Sequence, residues 1–124
     1  MKNVFLIFLI LVLIGLFIWF WKYLSKGFKR VANREAFTIG YASYEAAIYD
    51  EAMKWFLRAA NQGDARAEVC IAVLYRDGLG VKQDYIQAMN WYLKAAEKGE
   101  APAMTGIGYL YRSEERRVGK ECRP

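Results

Sequence analysis

The chain has no histidine and only two cysteines, Cys70 and Cys122, among its 124 residues. The first absence removes every catalytic base or zinc site that needs an imidazole. Two thiols 52 positions apart make neither a four-ligand metal centre nor a disulfide framework. Cys70 lies in a helical pattern among Val69, Ile71 and Ala72, and so reads as a small buried thiol rather than a reactive one. The segment Gly78-Leu79-Gly80 lacks the lysine and the serine or threonine of a phosphate-binding loop and reads as a turn. Glu45 with Glu51, and Asp77 with Asp84, are carboxylate pairs of the kind that solvated helix ends carry. Nothing places them in a cleft as general acid and base. No enzyme is expected, and no cofactor, metal or small-molecule substrate.

Acidic side chains are missing altogether from residues 1–34, which carry six basic ones. Residues 35–111 reverse the balance with seven basic and ten acidic, so the net charge of +5 is not spread over a folded surface. That division argues against nucleic acid as a partner. Lys22, Lys26, Lys29, Arg30 and Arg34 instead form a cluster suited to anionic lipid and to marking membrane topology.

The cluster comes directly after an uncharged run, Val4 to Trp21, of 18 residues. As a helix this run would be about 27 Å long, close to the ~30 Å hydrocarbon core of a bilayer. A cleaved signal peptide would carry a shorter apolar region, about 7 to 15 residues, before a small-residue cleavage site. Here the run ends in Trp19, Phe20, Trp21, Lys22 and Tyr23, which suit a headgroup boundary. A single-pass membrane helix is expected over residues 4–24, after a short flank at 1–3 and before a basic linker at 25–32. The lysine and arginine bias favours a cytoplasmic location for the residues beyond the linker.

Those residues contain a repeat. Tyr49 to Tyr75 aligns without a gap on Tyr85 to Tyr111, 36 residues later, with 13 of 27 positions identical. A fixed period in this range marks a stacked repeat, and so a fold of helix pairs rather than one globular core. Met53, Phe56, Leu57 and Ala60, and then Ala65, Val69, Ala72, Val73 and Tyr75, recur at helical spacings. Each segment is too short to be stable alone. Gly78 is placed to close the first helix in the left-handed conformation, Gly63 and Gly99 to stop the second helices, and Asp64 to cap the next start. Pro102 sits in the first turn of the last helix, where its missing N–H costs nothing. Ala52, Ala88, Ala59, Ala95, Ala72 and Gly108 let backbones approach, while Trp55, Trp91, Phe56 and Tyr92 fill the space between.

The residues Ala67, Ala72, Leu74, Tyr75, Gly78, Gly80, Val81, Asp84, Ala88, Trp91, Tyr92, Lys94, Ala95, Ala96 and Gly99 spell a pattern that resembles the Sel-1-like repeat. This is a longer-turned relative of the tetratricopeptide repeat. The resemblance covers one complete repeat, the second helix of a preceding one and the first helix of a following one. Upstream, Ile39-Gly40 with Ala52 twelve residues on resembles the shorter tetratricopeptide spacing, so residues 33–61 are expected as an atypical first pair.

The resemblance implies an all-α solenoid of antiparallel helix pairs over residues 33–111, non-catalytic, binding a protein or peptide on its concave face. By matching helix positions, that face would be lined by Phe37, Tyr41, Tyr44, Arg66, Val69, Val73, Arg76, Thr105 and Tyr109. Val69 and Val73 also suit the core between repeats, whereas Arg66, Tyr41 and Tyr44 suit a contact surface. After Tyr111 the string RSEERRVGKEC resembles a translated sequencing adapter, so residues 112–124 are expected to be foreign and the repeat region incomplete. The expected protein is a membrane-tethered interaction scaffold. The alternatives are an exported repeat protein with a cleaved signal peptide, and the regulatory end of a longer enzyme.

Overall fold

The computed structural model describes residues 2–121, apart from the side chains at 29, 30, 33, 119 and 121. Cys122 and the rest of the tail therefore lie outside the described residues, as do the side chains of Lys29 and Arg30 from the basic cluster. Five α-helices account for the described chain: α1 (Lys2–Glu45), α2 (Tyr49–Asn61), α3 (Ala65–Asp77), α4 (Tyr85–Glu97) and α5 (Ala101–Glu121). No strand occurs among the described residues. The chain divides into two compact units, Met1–Ala32 and Asn33–Pro124.

In the first unit, residues 4–21 of α1 are apolar on every side and exposed. Lys2–Phe28 is long and apolar enough to cross a membrane, and its window shows no burial within the protein. Residues 25–32, expected as a linker, are helical as well.

In the second unit, the helices are assembled by the local devices that the sequence advertises. Asp64 accepts from the Arg66 backbone N–H, and Asp84 from those of Ile86 and Gln87, so α3 and α4 both begin on a carboxylate cap. α3 ends on Gly78 in the left-handed region (φ 68°), whose N–H returns to the Leu74 carbonyl. Gly80 has the same φ, and a Cβ there would come 2.7 Å from Tyr49 Cβ. The turn after α3 thus lies directly on the start of α2. Between Glu45 and Tyr49 only Ala46, Ala47 and Ile48 intervene, with Ala47 left-handed at φ 59°. This shorter turn distinguishes the first pair from the second.

The core runs as two clusters. One joins Ala36, Ala52, Met53, Phe56, Ala59, Ala67, Ile71 and Leu74; the other joins Ala72, Ala88, Tyr92, Ala95, Ala103 and Leu110. Alanine dominates both because aromatic rings need close backbones around them. Phe56 packs against Gly40, where a Cβ would sit 2.8 Å from the ring. Tyr92 packs in the same way against Gly106, where no Cβ fits. Gly106 therefore carries the close approach, while Gly108 is exposed, as is Leu57 at 37%.

α5 runs on past Tyr111 to Glu121, into the residues expected to be foreign. The position 36 residues after Gly78 is Glu114, which has no left-handed preference and instead pairs with Arg117 one turn on. Nothing at that point stops a helix.

Candidate partner-binding face

The residues expected to line one face come from residues 33–45 of α1, from α3 and from α5. On α1, Phe37 stacks on Tyr41 at 6.2 Å and Tyr41 on Tyr44 at 6.3 Å, the i, i+4 and i, i+3 neighbours of a single helix side. Tyr41 is half exposed. The adjacent Glu45 carboxylate raises the Tyr41 phenol above its ordinary pKa, and partial burial does the same for Tyr44, so both rings stay neutral.

α3 meets these rings through Arg66. Its guanidinium lies 4.3 Å from the Phe37 ring centroid and donates to both carboxylate oxygens of Asp64, at 3.1 and 2.8 Å. Asp64 thus caps α3 and fixes the arginine at once. Further along α3, Arg76 repeats the arrangement towards α5. It lies 5.1 Å from the Tyr109 ring, donates twice to Asp77, and donates to the Tyr92 hydroxyl at 3.2 Å. The hydrogen bonds to Asp77 hold the Arg76 guanidinium firmly protonated. Burial raises the Tyr92 phenol.

The expected residues are therefore brought together in two linked groups. Phe37, Tyr41, Tyr44 and Arg66 form the first; Arg76 and Tyr109 belong to the second. Val69, Val73 and Thr105 join the second group along a groove of about 600 Å³, whose lining is completed by Tyr92, Ala101, Pro102 and Gly106. Val69 and Val73 are half-buried and also pack on the second core cluster, so core and groove share them. Sequence matching assigned Tyr92 only to packing. A tyrosine at the position where the preceding repeat has Phe56 was the available signal, since a hydroxyl in the core needs a partner, and Arg76 supplies it.

A second feature had no sequence signal. Glu68 is buried at 1% exposure and accepts a 2.6 Å bond from Lys98 Nζ, which sits at the C-terminus of α4. Its other oxygen, Oε2, is buried and has no hydrogen-bond partner. Among the described residues no cluster of three or more histidine, cysteine or acidic side chains forms a metal site.

A family model described as Sel1 repeat matches residues 49–64 and 65–100. Residues 49–100 are Sel1 repeats by this match. The Sel1 array is also similar to a solved structure, that of a Sel1 repeat protein from Oxalobacter formigenes, at 34% identity and a TM-score of 0.58. The match covers 63% of this chain and 34% of that protein, so the chain spans about a third of its solved relative. No curated protein matches the chain. Sel1 repeats generally mediate protein–protein interaction.

Cys70 is half-buried in the Sel1 array, and burial pushes its thiol from 9.0 up to about 11. At pH 8, in a Cys122→Ser background, alkylation by iodoacetamide should be roughly a hundredfold slower than for the same chain in urea, because only the thiolate reacts. Equal labelling rates in both states would remove the buried assignment. Stability shows the same shift with a definite sign. Below pH 9 both states keep the proton; as pH rises from 9 through 11 the unfolded chain ionises first, and the stabilisation is lost.

Proposed function

We propose that the chain is a membrane-tethered Sel1 scaffold that binds a protein or peptide partner along the face of α1 residues 33–45, α3 and α5. The observation that carries this reading is the pair of arginines anchored over rings of the neighbouring helices, Arg66 on Phe37 and Arg76 on Tyr109. Arginine and tyrosine concentrate binding energy at interfaces. Here the arginines are held by Asp64 and Asp77, so less side-chain entropy is lost when a partner arrives. Both guanidiniums are also neutralised by those carboxylates. The face therefore favours a partner by shape and apolar contact more than by opposite charge, and the adjoining groove suits an apolar side chain.

The tether rests on Lys2–Phe28. A signal sequence passes the same test of length and composition, but α1 continues as helix across the residues after Trp21 and leaves no extended stretch there for a peptidase. The basic residues beyond the span favour the cytoplasmic side for the repeats. Confinement near the bilayer would raise the scaffold's effective concentration towards membrane partners without a new contact.

The test compares the full-length wild type with Arg66→Glu plus Tyr41→Ala in affinity capture from detergent-solubilised membranes. A partner bound through this face should be lost about 10- to 100-fold, as for two interface anchors. Equal recovery of every partner would remove the face from the proposal.

A further inference from the structure

The helical segment just beyond the apolar run has two different sides. Trp21, Leu24, Phe28 and Val31 recur at spacings of three and four, which places them on one side of α1. All four are exposed, Phe28 at 78%, and Trp21, Leu24 and Phe28 with Ser25 line an apolar cleft of about 420 Å³. Lys22 and Lys26 share another side, one turn apart, and both are exposed. The sequence supplies two further cations, Lys29 and Arg30, in the next turn, and no acidic residue occurs before Glu35. A helix meant only to stand in water would not carry this apolar stripe, and topology marking alone does not require the cations to lie on the side away from it.

We infer that residues 21–31 form an interfacial helix that docks on the anionic lipid of the leaflet from which it emerges. The apolar stripe enters the boundary between headgroups and acyl chains, and the lysines reach the phosphates above it, in the manner of amphipathic surface helices. Charge complementarity selects the occupant: Lys22, Lys26, Lys29 and Arg30 have no acidic residue near them in sequence before Glu35, and an anionic lipid surface supplies the counter-charge. Length agrees. The 27 residues of Lys2–Phe28 exceed a ~30 Å core at 1.5 Å per residue, a surplus that tilt accommodates by lowering one side of the emerging helix towards the surface. Each basic side chain near an anionic surface biases the docked state by roughly fivefold.

The inference rests on the tether proposed above, and the experiment separates the two. Full-length chain carrying Cys70→Ala and Cys122→Ser receives a single nitroxide label through either Val12→Cys or Val31→Cys. It is reconstituted into phosphatidylcholine vesicles with or without about one third phosphatidylserine. The label at position 12 should be accessible to oxygen and shielded from a water-soluble nickel reagent in both vesicles. The label at position 31 should lose at least about threefold of its nickel accessibility when phosphatidylserine is present. Replacing Lys22, Lys26, Lys29 and Arg30 with glutamine should abolish that difference, as should about 1 M salt, where the Debye length is near 3 Å. Equal nickel accessibility at position 31 in both vesicles overturns the docking while position 12 still reports a span. A water-exposed position 12 removes the tether, and the docking with it.

Discussion

Phe56→Ala should unfold most of the first helix pair. The ring is fully buried at 0% exposure, packed by Gly40 on α1 and by the alanines of α2 and α3, so truncation leaves a cavity whose walls cannot close. Phenylalanine-to-alanine changes in such sites cost about 3–5 kcal/mol. A repeat region of this size holds roughly 4–12 kcal/mol in total at 0.05–0.15 kcal/mol per residue. In a stack stabilised by nearest neighbours, the loss should spread from α2 into α3. Hydrogen exchange on the full chain in micelles checks this. Amide protection should collapse in α2 and α3, while Leu93→Ala, at a side chain 47% exposed, should leave it within about 0.5 kcal/mol of wild type. Similar protection in both variants would mean that Phe56 is not the keystone of the pair.

Lys98→Met should cost about 2–3 kcal/mol. Removing one partner of a buried ion pair leaves the other charge stranded, a change worth about 3–5 kcal/mol when both are buried. The side chain of Lys98 is 40% exposed, so water recovers part of that here, while the side chain of Glu68 is only 2% exposed and has no second donor. Methionine is close to glutamate in length, adapts to irregular core space and needs no hydrogen-bond partner there. The double variant Glu68→Met with Lys98→Met should regain most of the loss, and the denaturant midpoints of the four chains form the cycle that measures it. An additive cycle would show that the 2.6 Å contact carries no coupling energy.

Both predictions concern contacts that the sequence does not display. The helices themselves were legible because their signals are local. Asp64 and the glycines at 63, 78 and 99 act within a turn of their own position, and the 36-residue echo repeats Gly63 at Gly99. The candidate face was legible in part. Matching helix positions picked Arg66 and Arg76, yet it did not show that each guanidinium is already committed to an aspartate and a ring. That commitment is why the proposed partner is one recognised by shape more than by opposite charge. α5 continues past Tyr111 for a local reason, since Glu114 stands where Gly78 stood in the preceding repeat.

By itself, the sequence determined an all-helical chain with one apolar helix long enough to cross a membrane and, after it, Sel1 repeats with their caps and turns. Period, caps and composition are properties of neighbouring residues, and neighbours in the chain are neighbours in any conformation. The tertiary structure alone decided that Lys98 reaches Glu68 across 30 positions, that Gly40 and Gly106 admit the rings of Phe56 and Tyr92, and that the Arg76 guanidinium ties Tyr92 to Tyr109. These depend on which side of one helix meets which side of another. A helical period states that a face is apolar, and only packing settles which atoms it meets.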